Sequence, residues 1–165
     1  MGGKAEEVSL RTVLVDIVQE GVELSVARLE YMFSSHDEEG NHFFVKFVNL
    51  TGRMMFGWGE GYKKKLHPFG ERSIDMERIK IDISDALKIA GRNGGSDFLG
   101  KVSPDHMQID LHLSPGESRA MFSNPKYDCV WAVTYDAWEP DGPAGYLNIQ
   151  INAETGDIIE VYDQM

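Results

Sequence analysis

The 165-residue sequence predicts an α+β fold in which antiparallel strands are covered on one side by helices. Three observations predict it. Stretches of apolar and polar alternation recur between turns rich in Gly, Asn and Asp, which is the pattern of antiparallel strands with one face in a core. Two other segments repeat their apolar residues at three- and four-residue spacing, the pattern of amphipathic helices. Finally, the order helix, long strand, strand, turn, strand occurs twice, which predicts two α-β-β-β-like halves in one compact unit. The first half spans residues 8–61, a basic linker spans 62–81, and the second half spans 82–165.

Val8 to Glu20 reads as the first helix, with Leu10, Val13, Leu14, Ile17 and Val18 on one face, Ser9 as cap and Gly21 as stop. From Val22 the period becomes two: Val22, Leu24 and Val26 alternate with polar residues. The apolar set then slips by one to Ala27, Leu29, Tyr31 and Phe33, so a β-bulge is expected near Ala27. Asp37-Glu38-Glu39-Gly40-Asn41 is a turn into the strand His42 to Val48, and Asn49-Leu50-Thr51-Gly52 turns the chain into Arg53 to Trp58.

In the second half, Ile83 to Ala90 reads as a short helix capped by Asp82 or Ser84 and stopped by the glycines at 91, 94 and 95. Strands are predicted from Met107 to Leu113, from about Tyr127 to Ala137, and from Gly145 to Asn152. The turn Ala153-Glu154-Thr155-Gly156, with glycine at its left-handed position, leads into a last strand from Asp157 to Tyr162.

This second half resembles the PepSY domain, a small α+β module of metallopeptidase propeptides and other exported bacterial proteins. The resemblance covers about residues 82–163, with a degenerate second copy conceivable in 8–60. It rests on the helix Ile83-Ser84-Asp85-Ala86-Leu87-Lys88-Ile89-Ala90, the strand Val130-Trp131-Ala132-Val133, and the hairpin from Leu147 through Asn152-Ala153-Glu154-Thr155-Gly156-Asp157 to Ile159. It implies a non-catalytic module outside the cytoplasm that inhibits, chaperones or localises a partner. No peptidase follows Met165, so the implied partner is a separate protein or ligand.

Composition narrows the function classes. Sixteen basic against twenty-seven acidic residues give a net charge of −11, which disfavours nucleic-acid binding. No apolar run approaches the roughly 18 to 20 residues of a membrane-spanning helix. The N-terminal residues lack a signal-peptide hydrophobic stretch, so either the protein is cytoplasmic or an export signal has been removed. The resemblance favours the second. The single cysteine, Cys129, excludes an intramolecular disulfide, and its apolar strand is the environment of an inert thiol.

His36, His42, His67, His106 and His112 form no zinc-binding spacing, and the acidic clusters Asp37-Glu38-Glu39 and Asp136, Glu139, Asp141 do not fit a calcium loop. The glycines of 91–95 follow a helix, whereas a phosphate cradle precedes one, and those of 57–61 are not promptly followed by a helix. The sequence therefore predicts no catalytic residue, no metal and no cofactor. Together with the resemblance, which implies a protein partner of the peptidase class, this gives the expectation of a non-enzymatic binding or inhibitory module that adds an edge strand or a loop to its target. Lys63, Lys64 and Lys65 are candidates for contacting an anionic surface. Trp58 and Trp138 are candidate aromatic contacts, Trp138 alternatively being a plug over the core. The competing reading is a small-molecule or lipid-binding domain with a pocket between sheet and helices.

Overall fold

A computed structural model describes residues 6–20, 23–36, 41–50, 53–63, 74–102, 107–116, 126–138 and 145–164; within the first four strands it describes side chains for 13–17 and 28–31. In chain order the elements are β1 (Glu6–Glu20), β2 (Glu23–His36), β3 (Asn41–Leu50), β4 (Arg53–Lys63), α1 (Ile83–Ala90), α2 (Ser96–Leu99), β5 (Met107–Pro115), β6 (Cys129–Ala137), β7 (Gly145–Asn152) and β8 (Ile158–Gln164). The strands form a single antiparallel sheet in the order β4-β3-β2-β1-β5-β6-β7-β8.

This overturns the expected helix-packed α+β fold of two α-β-β-β-like halves. Strand dominates the described residues, and the segment expected as the first helix is β1. The physical reason lies in Val13, Val15 and Ile17. They are β-branched, which suits a pleated surface better than a helix. All three are buried, and they pair with Leu113, Leu111 and Ile109 of β5. The helical spacing of Leu10, Val13, Leu14, Ile17 and Val18 is real, but it passes over Val15, and period two accounts for Val13, Val15 and Ile17 together. What the halves share is a four-stranded meander, and their first strands, β1 and β5, pair antiparallel at the centre of the sheet. The turns after Leu50 and after Asn152 both join the third and fourth strands of a meander.

Other expectations hold in register. Asp16 pairs with Arg28 and Ile17 with Val26, so Ala27 is an extra residue in β2 where the phase slip predicted a bulge. The turn residues at 37–40 and 51–52 lie outside the described residues.

The apolar face is built from three rows that cross four strands: Val13, Leu113, Trp131 and Ile151; Val15, Leu111, Val133 and Ile149; Ile17, Ile109, Tyr135 and Leu147. Every member is buried. Over β6 and β7 this face carries α1, which contributes Ala86 and Ala90, and α2 contributes Phe98. Asp82 caps α1 by accepting a hydrogen bond from the Asp85 amide at 2.8 Å. The glycine run does not stop the chain's helical course as expected. Residues 91–95 make one wide turn kinked at Asn93 and Gly94, where φ reaches +118°, and helix resumes as α2.

Three hydrogen bonds lock the approach to α1 onto the sheet. The Trp131 indole Nε1 donates to the Ile81 carbonyl at 2.8 Å. The amides of Lys80 and Ile81 both donate to the Ala153 carbonyl at 3.0 Å. Ala153 opens the turn between β7 and β8, whose Gly156 has φ +81° and lies against Ile81 and Ile89. Glycine is required there twice over, by its backbone and by its neighbours. Gly95 is held differently: a methyl group on it would run into the Tyr135 hydroxyl. Gly156→Ala is therefore expected to destabilise by about 1–3 kcal/mol through strain at positive φ. Gly95→Ala should destabilise too, and Tyr135→Phe, which removes the hydroxyl but leaves the ring carbon Cζ 2.5 Å from the added methyl, should rescue Gly95→Ala at most in part while leaving Gly156→Ala unimproved. Urea unfolding of the three single variants and two doubles measures this.

Candidate functional site

The opposite face of the sheet is polar, yet much of it is withdrawn from water. Strand β6 is buried on both faces along most of its length, so the polar residues beside it on β5 and β7 face a covered surface. Two rows run across it: Leu14, His112, Ala132 and Gln150; then Asp16, Asp110, Thr134 and Asn148. Asn148 and Thr134 satisfy each other, the amide Nδ2 donating to Oγ1 at 2.9 Å. Arg28 on β2 continues the second row and reaches Asp16 at 3.4 Å and Glu30 at 2.8 Å, where Glu30 is only 1% exposed. A buried carboxylate needs such a partner.

Asp16 and Asp110 stand directly opposite each other. Burial, together with the neighbouring Asp16 carboxylate, holds the Asp110 carboxyl above the usual carboxylate range, against the Gln108 amide that donates to it at 2.7 Å. Burial likewise pushes His112 down to about 4, so it is neutral in the fold at pH 7. Three buried side-chain atoms among the described residues have no hydrogen-bond partner: His112 Nε2, Gln150 Oε1 and the Tyr146 hydroxyl. All three belong to this face. Cys129 is not part of it chemically. Its thiol donates to the Ser114 carbonyl at 3.3 Å, and burial pushes it up to about 12, so it carries no nucleophilic thiolate.

The sheet also ends in an open edge. β8 is terminal in the strand order and pairs with β7 alone among the described strands. Ile158, Val161 and Tyr162 are 36%, 46% and 48% exposed. Val161 stands beside Ile149 on the apolar face, and Tyr162 beside Asn148 on the polar one. Glu160 and Asp163 lie between and after them, with no Lys, Arg or Pro in the strand.

The residues singled out from the sequence do not converge. Lys63 ends β4, the other edge strand, opposite Asn41, while Lys64 and Lys65 lie outside the described residues. Trp58 is in β4 opposite Val45. Trp138 follows β6, five strand positions from β4, and is 45% exposed, so it projects from the surface and is not a plug over the core. Glu139 and Asp141, expected near Asp136, lie outside the described residues. The groove between sheet and helices, where a pocket was the competing expectation, is lined by packed Trp131, Val133, Tyr135, Ala86 and Phe98. Among the described residues no three His, Cys, Asp or Glu side chains come together in a metal-holding group.

Sequence reasoning missed Asp110, His112 and Gln150 because alternation assigned them to solvent, and Asp16 because its segment was expected as a helix. The available signal was β6 itself. A strand apolar on both faces implies that its neighbours' outward residues are also covered. No family model matches the chain, and comparison with curated proteins and with solved structures returns no similar protein.

The neutral buried His112 has a stability consequence with a definite sign. Its folded value lies below the unfolded one, so acid favours the unfolded, protonated chain. Stability should fall as pH drops from about 6.5 to about 4, by up to roughly 3 kcal/mol from this group. Asp110 works the other way, its raised carboxyl adding stability at low pH that is lost as pH rises through its folded value. Denaturant unfolding of the parent and of His112→Phe between pH 7 and 4.5 separates the two. The variant should lose most of the acid slope, and an unchanged slope would mean that His112 is solvated.

Proposed function

We propose that this protein is a non-enzymatic binding module that recruits an extended segment of a partner protein onto β8 by strand addition. The observation that carries the reading is the edge itself: a strand that pairs with β7 alone among the described strands, with exposed Ile158, Val161 and Tyr162 and no blunting Lys or Pro. Such edges are normally protected, because their free N–H and C=O groups pair with any available strand. Backbone pairing supplies affinity in this mode and side chains of alternate residues supply specificity. Along β8 the faces offer Ile158, Val161 and Asp163 on one side and Glu160, Tyr162 and Gln164 on the other. The complementary segment alternates apolar residues with Lys or Arg, since both charges to be matched are acidic.

The PepSY resemblance of residues 82–163 supports the same reading from another direction. It implies action outside the cytoplasm on a separate protein, a peptidase being the class it suggests.

A fluorescent peptide alternating Val with Lys tests the proposal by anisotropy. Binding should weaken with salt, fall about tenfold or more in Val161→Lys/Tyr162→Lys, and vanish when alternate peptide amides are N-methylated, because backbone donors are then lost. Affinity indifferent to N-methylation would exclude strand addition.

A further inference from the structure

We infer that Asn93 is a modification site: in the folded protein its side-chain amide is lost through attack by the Gly94 backbone nitrogen, and the isoaspartate that results loosens the junction between α1 and α2. The site is separate from β8. Of the six asparagines in the chain, only Asn93 precedes glycine, so no side chain on the following residue shields the attacking nitrogen. Asn148 is buried against Thr134, and Asn124 precedes a proline, which has no N–H to give up. Asn93 is exposed, and its backbone leaves the helical course at φ −109° and ψ 32°, just before Gly94 at φ +118°. A regular helix would fix the backbone on both sides of this bond, and the kinked wide turn releases it.

The chemistry needs only water. The Gly94 amide nitrogen gives its proton to hydroxide and bonds to Asn93 Cγ; the Cγ–Nδ2 bond breaks and Nδ2 departs as ammonia, closing a five-membered succinimide. Water then opens the ring. Attack at Cγ gives aspartate. Attack at the backbone carbonyl carbon of residue 93 breaks its bond to the Gly94 nitrogen and gives isoaspartate, in which the main chain runs through the side-chain carbon. An amide and water have become a carboxylate and ammonium, with no electron transferred. The fold supplies a brake, because Asn93 Nδ2 donates to the Ile89 carbonyl at 2.8 Å and must let go first. Ring closure in the native protein is therefore slower than in the unfolded chain.

The same contacts decide what the product does. Either acid replaces that donor with a negative charge beside a carbonyl at the C-terminal end of α1, where negative charge is unfavourable. Isoaspartate also adds a methylene to the backbone between two fixed points. On one side the Gly91 amide donates to the Leu87 and Lys88 carbonyls. On the other, Gly95 lies against Tyr135 with no room for a methyl group, and Phe98 is 2% exposed in the core. A longer chain between those anchors displaces one of them.

Ageing of the intact protein at physiological temperature and mildly alkaline pH, with circular dichroism confirming the fold, tests the site. Peptide mapping should find the mass gain of amide-to-acid conversion concentrated at residue 93, with an isoaspartyl methyltransferase labelling the same peptide. Asp141-Gly142 can also form isoaspartate, but without that mass gain. The reaction should be faster in urea than in buffer, and it should vanish from this peptide in Asn93→Gln, whose longer side chain closes a ring far more slowly. The isoaspartate fraction, separated by ion exchange through its added negative charge, should unfold at lower urea than fresh protein. It should also unfold at lower urea than Asn93→Asp, which carries the charge without the methylene. An amide at residue 93 that survives for as long as the protein stays folded, or an isoaspartate fraction as stable as Asn93→Asp, would each overturn the inference.

Discussion

The double burial of β6 is the constraint on which the rest of the structure depends. A strand covered on both faces must present two kinds of surface at once. Its Trp131, Val133 and Tyr135 face the helices and extend the three apolar rows that reach β1. Its Ala132 and Thr134 face the other way, into a polar layer that is buried at Asn148 and Gln150 and half-buried at Asp16, Asp110 and His112. The first requirement is met by packing and by Trp131, whose indole donates to Ile81 and so fixes where α1 lies. The second is met only in part, by the pairing of Asn148 with Thr134 and by the ion pairs of Arg28.

Among the described strands the sheet ends at β8, whose only strand partner there is β7, and this is the edge on which the proposed strand addition rests. Acidic residues stand both here and on the polar face: Glu160 and Asp163 along the edge, Asp16 and Asp110 on the face. The chain as a whole carries a net charge of −11.

Much of the second half was legible in the sequence. Its helix, four strands and the Gly156 turn read directly from periodicity and turn chemistry, and Asp82 proved to be the cap. The bulge at Ala27 was visible as a one-residue phase slip. The first strand was not, because Leu10, Val13, Leu14, Ile17 and Val18 satisfy a helical period as well as they fit a strand. Only the β5 partner, some ninety-five residues away in sequence, decides between them through the Val15 pairing with Leu111. The polar layer was hidden for a related reason. Alternation tells which residues share a face, but whether that face meets water is a property of the assembled sheet. The basic run at 63–65 and Trp58 drew attention by composition, and the sheet sets β4, which carries Trp58 and Lys63, at the edge opposite β8.

Residue-resolved amide hydrogen exchange tests the central claim, an interior β6 and an open β8, most directly. The account predicts slow exchange throughout β6, and along β8 an alternation in which amides bonded to β7 are protected and outward amides exchange freely. Addition of a basic extended peptide should then protect the outward set alone. Uniform protection of β8 in the free protein, at the level of β6, would contradict the account, because the edge on which strand addition depends would already be occupied.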